Sequence, residues 1–330
     1  MTEQRPDTTS SLLELLSAGG FVSGEAIARE LSVSRAAVWK LVEALREEGY
    51  DVDAVRGKGY RWRNAHAPLD VARITAAMRN ADRLERGAPR LLSSVASTNT
   101  HLRESVTPGS PPRAVFAERQ TSGRGRWGRQ WVSPPAGGIY LSIDWPFERL
   151  PDGPSGLSLA VGVHIAEALQ SFGFRNVGLK WPNDLLVGGA KLGGILLELS
   201  GEPTGPCRIV IGVGINWSVP NSLRGQLDRE AVGLSDLAAG ESLDRNAIAA
   251  LVLDAVMDAC LTFPSHRDEV LGTRWQRLDA LAGQPITLEL PGGDVEGVVV
   301  GVDGTGALLL DTADGLQRYV SGDTHLRVRR

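Results

Sequence analysis

A chain of 330 residues, at about 150 per domain, argues for roughly two domains, or three if one is small. With 42% hydrophobic and 22% charged residues it has ample material for a packed core, which excludes wholesale disorder. Lys and Arg total 35 against 39 for Asp and Glu, a formal charge of −4. This excludes a chain basic over its whole surface but leaves room for a local nucleic-acid-binding patch.

Met1 to Ser11 carries charges and no apolar run, so no signal peptide is expected. No stretch of ~18 uncharged apolar residues predicts a membrane span. Leu12, Leu13, Leu15 and Leu16 suit one face of a first helix. Ser23 is placed to cap a second that buries Ile27 and Leu31. After a tight turn at Ser32-Val33, Ser34 caps a third helix, in which Val38, Leu41, Val42 and Leu45 recur at helical spacing. Gly49 suits the left-handed position that ends it. Tyr50–Asp53 and Tyr60–Arg63 then alternate as strands around the turn Arg56-Gly57-Lys58-Gly59, a hairpin with a basic tip.

Three helices and such a hairpin make a winged helix-turn-helix. In that module the third helix enters the major groove and the wing touches phosphate, which nominates Ser34, Arg35 and Lys40 on the helix and Arg56 and Lys58, with Arg61, on the wing. A helical protein–protein module is the alternative, and Glu43, Glu47 and Glu48 dilute the charge. So few cations on one module predict weak binding unless a dimer engages two half-sites.

Residues 63–68 break both patterns and read as a linker, after which Asp70–Met78 reads as a helix entered through Pro68. Strands are expected over Arg90–Val95, Ala114–Arg119 and Ile139–Trp145, and helices over Gly156–Phe172 and Asp244–Phe263. This irregular mixture argues for α+β or mixed α/β. Cys207 and Cys260 have no metal-ligand spacing. Neither disulfide nor structural zinc is expected, and a reducing cytoplasm is the default compartment.

Four features carry chemistry. In Gln120–Trp131 the glycines 123, 125 and 128 formally match a dinucleotide fingerprint, yet Gln130–Gly138, with two prolines, cannot be the helix that fingerprint must open. What remains is a glycine-rich loop bearing Arg124, Arg126 and Arg129, suited to phosphate or carboxylate, against the alternative of a solvated basic turn. Second, Gly188-Gly189 signals a two-residue hairpin that pairs Val187 with Ala190 and Leu186 with Lys191. Asp184 then shares a face with Lys191, diagonally displaced, at roughly 7–8 Å between backbones. Lys191 suits an anion and Asp184 a Mg²⁺ ion, or the two are a structural salt bridge. Third, Gly212–Trp217 ends a buried strand in glycines, an amide and an indole, able to cradle a nucleoside or merely to turn a corner. Fourth, Ser97-Thr98-Asn99 is equally able to cap a helix or to bind a polar ligand head.

Together, Ser97-Thr98-Asn99, the Gly123–Trp131 loop, Lys180-Trp181-Pro182-Asn183-Asp184, Lys191–Leu196 and Gly212–Asn216 resemble the bacterial biotin protein ligases. The N-terminal module resembles that of the bifunctional branch that also represses the biotin operon. The resemblance spans essentially the whole chain. It implies an α+β multidomain fold: a winged helix-turn-helix over 1–66, a mixed α/β ligase domain akin to class II synthetases over 67–278, and a small SH3-like barrel over 279–330. It also implies a two-step reaction, in which the biotin carboxylate attacks the α-phosphorus of ATP and a lysine amine of a carboxylase carrier protein then attacks the acyl carbon of biotinyl-5′-AMP.

Carried over residue by residue, Ser97, Thr98, Asn99, Gln120, Arg124, Gly125, Arg126 and Lys191 are implied to contact biotin. Arg124, Arg126, Trp131, Lys191 and Asn216 are implied to contact ATP or the adenylate. Asn183 and Asp184 support phosphate or metal, with Asp184 on Mg²⁺. The implied substrates are ATP and biotin, with Mg²⁺ and without zinc, haem or nicotinamide. The implied partners are the biotin carboxyl carrier protein of acetyl-CoA carboxylase, operator DNA and, with adenylate bound, a second copy of the chain, but no membrane.

The chain departs from the pattern at Trp127, where the family often has arginine, and in Ser218–Leu234, which holds no tryptophan and leaves Trp217 as the nearby indole. Three readings compete: a biotin-sensing transcription factor without catalysis, a ligase of a related acid such as lipoate, and a ligase whose helix-turn-helix is vestigial.

Overall fold

A computed structural model describes residues 8–17, 20–47, 49–62, 67–105, 109–148, 150, 153–201, 206–220, 223, 229–238 and 243–326. The expected linker falls partly on 63–66, outside the described residues.

The N-terminal module folds as the periodicity dictates, into α1 (Thr8–Ser17), α2 (Gly24–Glu30), α3 (Arg35–Glu47), β1 (Val52–Val55) and β2 (Gly59–Trp62). Ser23 Oγ accepts from Ala26 N–H and Ser34 Oγ from Ala37 N–H, each at 3.1 Å, so both expected caps form. Leu12, Leu16, Ile27, Val38, Val42 and Leu45 are buried together, and Trp62 meets Tyr50 edge-on at 5.4 Å between ring centroids. Val22 and Tyr60 exchange two backbone hydrogen bonds, which tie the wing to the turn before α2. Gly59, at φ +104°, permits this: a Cβ there would lie 2.1 Å from Val22 O. The same core includes Ala136 from the next unit, and Gly49 lies against Pro135. The module is therefore seated on the Pro134–Gly137 segment of the central domain.

The central domain is built on a seven-stranded sheet of order β3-β4-β5-β9-β8-β7-β6. Its strands are β3 (Arg90–Leu92), β4 (Arg113–Ala117), β5 (Gly138–Phe147), β6 (Val177–Lys180), β7 (Asp184–Val187), β8 (Ala190–Gly201) and β9 (Cys207–Asn216). Only β3 and β4 run parallel. The helices are α4 (Val71–Ala77), capped by Asp70, then α5 (Thr98–Glu104), α6 (Leu157–Phe172), α7 (Leu234–Leu237), α8 (Arg245–Glu269) and α9 (Trp275–Leu278).

Strand alternation separates the two faces of this sheet. In β9, Ile209, Ile211, Val213 and Ile215 join one apolar core with the buried residues of α6 and α8. On the opposite face Gly212 meets Asn99 of α5, and Gly214 meets the ring of Trp131. One face holds the core together, and the other carries glycines packed against Asn99 and Trp131.

Two expectations shift. The strand from Arg90 stops at Leu92, and Val95 makes only an isolated bridge to Gln120. The helix expected to end at Phe263 runs through Pro264 to Glu269, with His266 at φ −123°, ψ 21° absorbing the kink that a proline without N–H imposes. By length and composition the continuous stretch Arg245–Leu278 also passes for a membrane span, yet most of its apolar residues, Ile248, Val252 and Val256 among them, are buried in the core. The strand-rich tail forms an antiparallel sheet of order β13-β12-β11-β10-β14, from β10 (Pro285–Glu289), β11 (Val295–Val302), β12 (Leu308–Thr312), β13 (Gly315–Tyr319) and β14 (Asp323–Leu326). It is fixed to the central domain through Trp181, whose Nε1 donates to Gly306 O and whose carbonyl accepts from Thr324 Oγ1, each at 3.0 Å.

Candidate functional site

The polar face of the sheet begins at α5. Ser97 caps that helix, its Oγ 3.5 Å from Thr100 N, while Thr98 and Asn99 are buried beside Ser142 of β5. Thr98 N–H donates to Gln120 Oε1 at 2.9 Å, and Gln120 Nε2 donates to Ser133 Oγ at 3.1 Å. Asn99 Nδ2 donates to Glu198 Oε2 at 2.9 Å. A network with this many side-chain amides and hydroxyls offers fixed donors and acceptors to a small polar head group. Within the tripeptide Ser97 caps the helix, while Thr98 and Asn99 join the side-chain hydrogen-bond network.

The glycine-arginine loop is not a helix start. Within it only Arg126–Gly128 makes a single tight turn, with Trp127 at φ +54°, and Trp131 N–H returns to Gly123 O at 2.9 Å. A Cβ on Gly123 would lie 2.3 Å from Trp131 O, so this return needs glycine there. The three arginines diverge. Arg124 Nη1 lies 3.2 Å from Glu198 Oε1, Arg126 donates to Gly322 O at 3.2 Å and stacks on Trp127, and Arg129 pairs with Asp323.

The β7–β8 hairpin pairs Leu186 with Lys191 and Val187 with Ala190, as the double glycine requires. A bulge between Leu185 and Leu186 then sets Asp184 opposite Gly194, and Lys191 Nζ reaches Asp184 Oδ1 at 2.7 Å. The long Lys191 side chain spans the backbone diagonal and forms the direct ion pair that the shared face allows. Asn183 Nδ2 donates to Ile195 O at 2.8 Å and Asn216 Nδ2 to Lys191 O at 3.1 Å, so both amides brace β8. The Trp131 ring lies over Gly214, with Lys191 Nζ 5.3 Å from its centroid. Its Nε1 is buried and has no hydrogen-bond partner among the described residues.

These pieces enclose one cavity of about 660 Å³, onto which Ser97, Thr98, Asn99, Gln120, Arg124, Gly125, Arg126, Trp131, Asn183, Asp184, Lys191 and Asn216 all open. Sequence reasoning missed Glu198, Arg229 and, from β14, Asp323 as neighbours, and gave no role to Lys180 within its motif. Arg229 lies 3.4 Å from Asp184 Oδ2 and 2.5 Å from Asp323 Oδ2. Burial, reinforced by the charge of Arg229, lowers the Lys180 ammonium to about 8. Burial raises Asp323, but the Arg129 hydrogen bond and the nearby Arg229 and Lys180 outweigh it and hold the carboxyl at about 2.

A protein-held Mg²⁺ on Asp184 does not fit this geometry, because both of its oxygens face cations. The grouping with metal-ligand spacing among the described residues is Glu289, Asp323 and His325, which excludes Asp184, and Asp323 is already engaged by two arginines. Cys207 and Cys260 are both free and buried.

On the N-terminal module Ser34, Arg35, Lys40, Arg56 and Lys58 are all exposed. Arg61 is instead engaged by Asp53 at 2.8 Å.

Residues 91–216 match the Biotin/lipoate A/B protein ligase family, 8–61 the HTH domain and 282–327 the Biotin protein ligase C terminal domain. The Bifunctional ligase/repressor BirA of Salmonella typhimurium is 36% identical over 97% of this chain and 98% of its own length. Its namesake from Bacillus subtilis is 31% identical over 98% and 99%. The solved biotin protein ligase from Aquifex aeolicus in complex with biotin and ATP aligns at TM-score 0.59 and 31% identity, covering 72% of this chain and 97% of that one.

Proposed function

Because this chain belongs to the family of bifunctional biotin ligase/repressors, we propose that its central cavity joins biotin to a protein lysine at the expense of ATP and that its N-terminal module represses transcription. The observation that carries this reading is the opening of the loop arginines and of the Lys191–Asp184 hairpin onto one cavity.

Activation must bring a carboxylate against a phosphate. Two unit anions 4 Å apart repel by ~4 kcal/mol at an effective dielectric of 20, so cations fixed in advance lower the barrier. Lys191 is the residue we assign between the two anions, with Asp184 orienting its ammonium. Ser97, Thr98, Asn99 and Gln120 take the polar head of biotin, together with the backbone of Arg124-Gly125-Arg126. Arg124 and Arg126 hold carboxylate and phosphates, Asn216 takes the nucleoside and Trp131 covers the anhydride against water. Asn183 acts by bracing β8. The carboxylate oxygen bonds to the α-phosphorus as pyrophosphate leaves. The lysine amine then bonds to the acyl carbon, and AMP leaves with the bridging oxygen. Mg²⁺ enters as the counterion of the nucleotide, hence as part of the substrate.

We assign the three units to 1–66, 67–278 and 279–330, and the acceptor to the biotin carboxyl carrier protein of acetyl-CoA carboxylase, in the cytoplasm. Ser34, Arg35, Lys40, Arg56 and Lys58 contact operator DNA, and the adenylate drives formation of the dimer that engages two half-sites. Incubating the chain with ATP, Mg²⁺, labelled biotin and an apo carrier domain tests the ligase reading, with lipoate as competitor. Transfer of label to one carrier lysine is expected. No transfer, or preference for lipoate, overturns it. Equal sedimentation with and without the adenylate overturns the dimer, and no gel shift on the chain's own promoter region with ATP and biotin overturns the repressor role.

A further inference from the structure

The cations of the cavity are unevenly spread. At one end Arg124 faces Glu198, which also holds Asn99 of the polar head network. Lys191 stands on Asp184 beside Trp131. At the far end Asp323, from the C-terminal sheet, is shared by Arg129, Arg229 and Lys180, the last at 3.9 Å. Arg229 also reaches back to Asp184 at 3.4 Å. Lys191, Arg229, Arg129 and Lys180, four cations, thus share two carboxylates there, with Glu289 a third carboxylate on the same cavity, and Arg126 adds a fifth cation whose hydrogen bond goes to a carbonyl rather than a carboxylate. Such a surplus of positive charge in a half-buried crevice matches a polyanion, not a monocarboxylate.

We propose that Arg229 is a phosphate-binding residue for the leaving pyrophosphate, the β,γ portion of ATP. This rests on the ligase reading above and goes beyond it by adding a ligand from outside every motif that carried the resemblance. Three relations support the assignment. Arg229 opens onto the same cavity as Lys191 and shares Asp184 with it, so it adjoins the point where carboxylate and α-phosphorus meet. Its other partner, Asp323, lies at the end where cations outnumber carboxylates most, which suits the most highly charged part of either substrate. It also supplies a charge that the glycine-arginine loop lacks at Trp127, whose side chain is largely exposed. A planar guanidinium offers paired donors that match phosphate oxygens, so an entering phosphate would exchange for a carboxylate that Arg229 now holds, the 3.4 Å contact to Asp184 being the looser one.

The test is biotin-dependent exchange of labelled pyrophosphate into ATP by the full chain, comparing wild type with Arg229→Ala and Arg229→Lys. Arg229→Ala should raise KM for both ATP and pyrophosphate by about tenfold or more, the worth of a charge-assisted hydrogen bond. Inhibition by AMP, which lacks the β- and γ-phosphates, and KM for biotin should stay within about twofold by the same reasoning. Arg229→Lys should fall between, since it keeps the charge and loses the fork. Unchanged KM for ATP and pyrophosphate in Arg229→Ala overturns the proposal, as does equal weakening of AMP and biotin, which would mark a structural role. No exchange by the wild-type chain overturns the ligase reading itself, an outcome distinct from either.

Discussion

Lys191 Nζ and Asp184 Oδ1 meet at 2.7 Å across a bulged hairpin, and the cavity that both line is the one onto which the arginine loop opens. The ion pair is thus at once a structural bridge and the orienting device for the ammonium. Lys191→Ala removes the cation between two anions and leaves Asp184 facing Arg229. Adenylate formation should fall by about a hundredfold or more in kcat/KM, measured by pyrophosphate exchange. Operator binding by the N-terminal module, followed by gel shift with preformed biotinyl-5′-AMP supplied, should change far less. A parallel loss of both would point to unfolding.

Arg126 ties the loop to the C-terminal sheet by donating to Gly322 O, and it stacks on Trp127. Arg126→Gly deletes both tethers. The loop should then retain the adenylate poorly, so that activated biotin escapes to bystander lysines. Labelling of an added inert protein should rise by roughly tenfold, as expected for the loss of a charged hydrogen bond. Unchanged bystander labelling contradicts this.

Lys180 has its ammonium lowered to about 8 by burial and by Arg229. As pH rises through 8 the ion cluster around Asp323, at the edge of the cavity, loses a cation, so kcat/KM for ATP should fall with an apparent midpoint near that value, which reports the free enzyme. Lys180→Arg, charged throughout, should flatten the profile. Stability has the opposite slope. Between about 8 and the ordinary 10.5 the unfolded chain binds more protons than the folded one, so this group adds stability as pH rises.

Arg245, on α8, is buried against Glu118 at 2.8 Å, and its other nitrogen donates to Gly138 O at 2.5 Å. Glu118 also accepts from Leu69 N–H at 2.6 Å. Arg245→Met strands a buried carboxylate and should cost about 3–5 kcal/mol in urea unfolding. Adding Glu118→Gln should recover part of the loss, and a double variant no more stable than the single one would exclude electrostatic stranding as the cause.

Local chemistry in the sequence specified much of this fold. Ser23 and Ser34 cap because short hydroxyls before amphipathic runs do so, and the double glycine at 188–189 set the pairing of Leu186 with Lys191. Long-range assembly was not legible in the same way. Asp323 and Arg229 converge from elements 94 residues apart, and no spacing rule brings them together. Glu198 meets Asn99 of α5 across 99 residues of sequence, a pairing that only the packing of that helix on the sheet creates. The bulge at Leu185 moved Asp184 by one register position, which the turn chemistry alone does not encode.

The floor of the cavity is made partly of backbone. At Gly212 and Gly214 a side chain would collide with Asn99 and with the Trp131 ring, at 2.3 and 2.6 Å. Substitution at these two positions can only make the chamber shallower, since no smaller residue exists. Efforts to admit a bulkier acid must carve room from the walls, at α5 or the arginine loop, whereas the floor sets an upper limit on depth that amino-acid replacement at these positions cannot exceed.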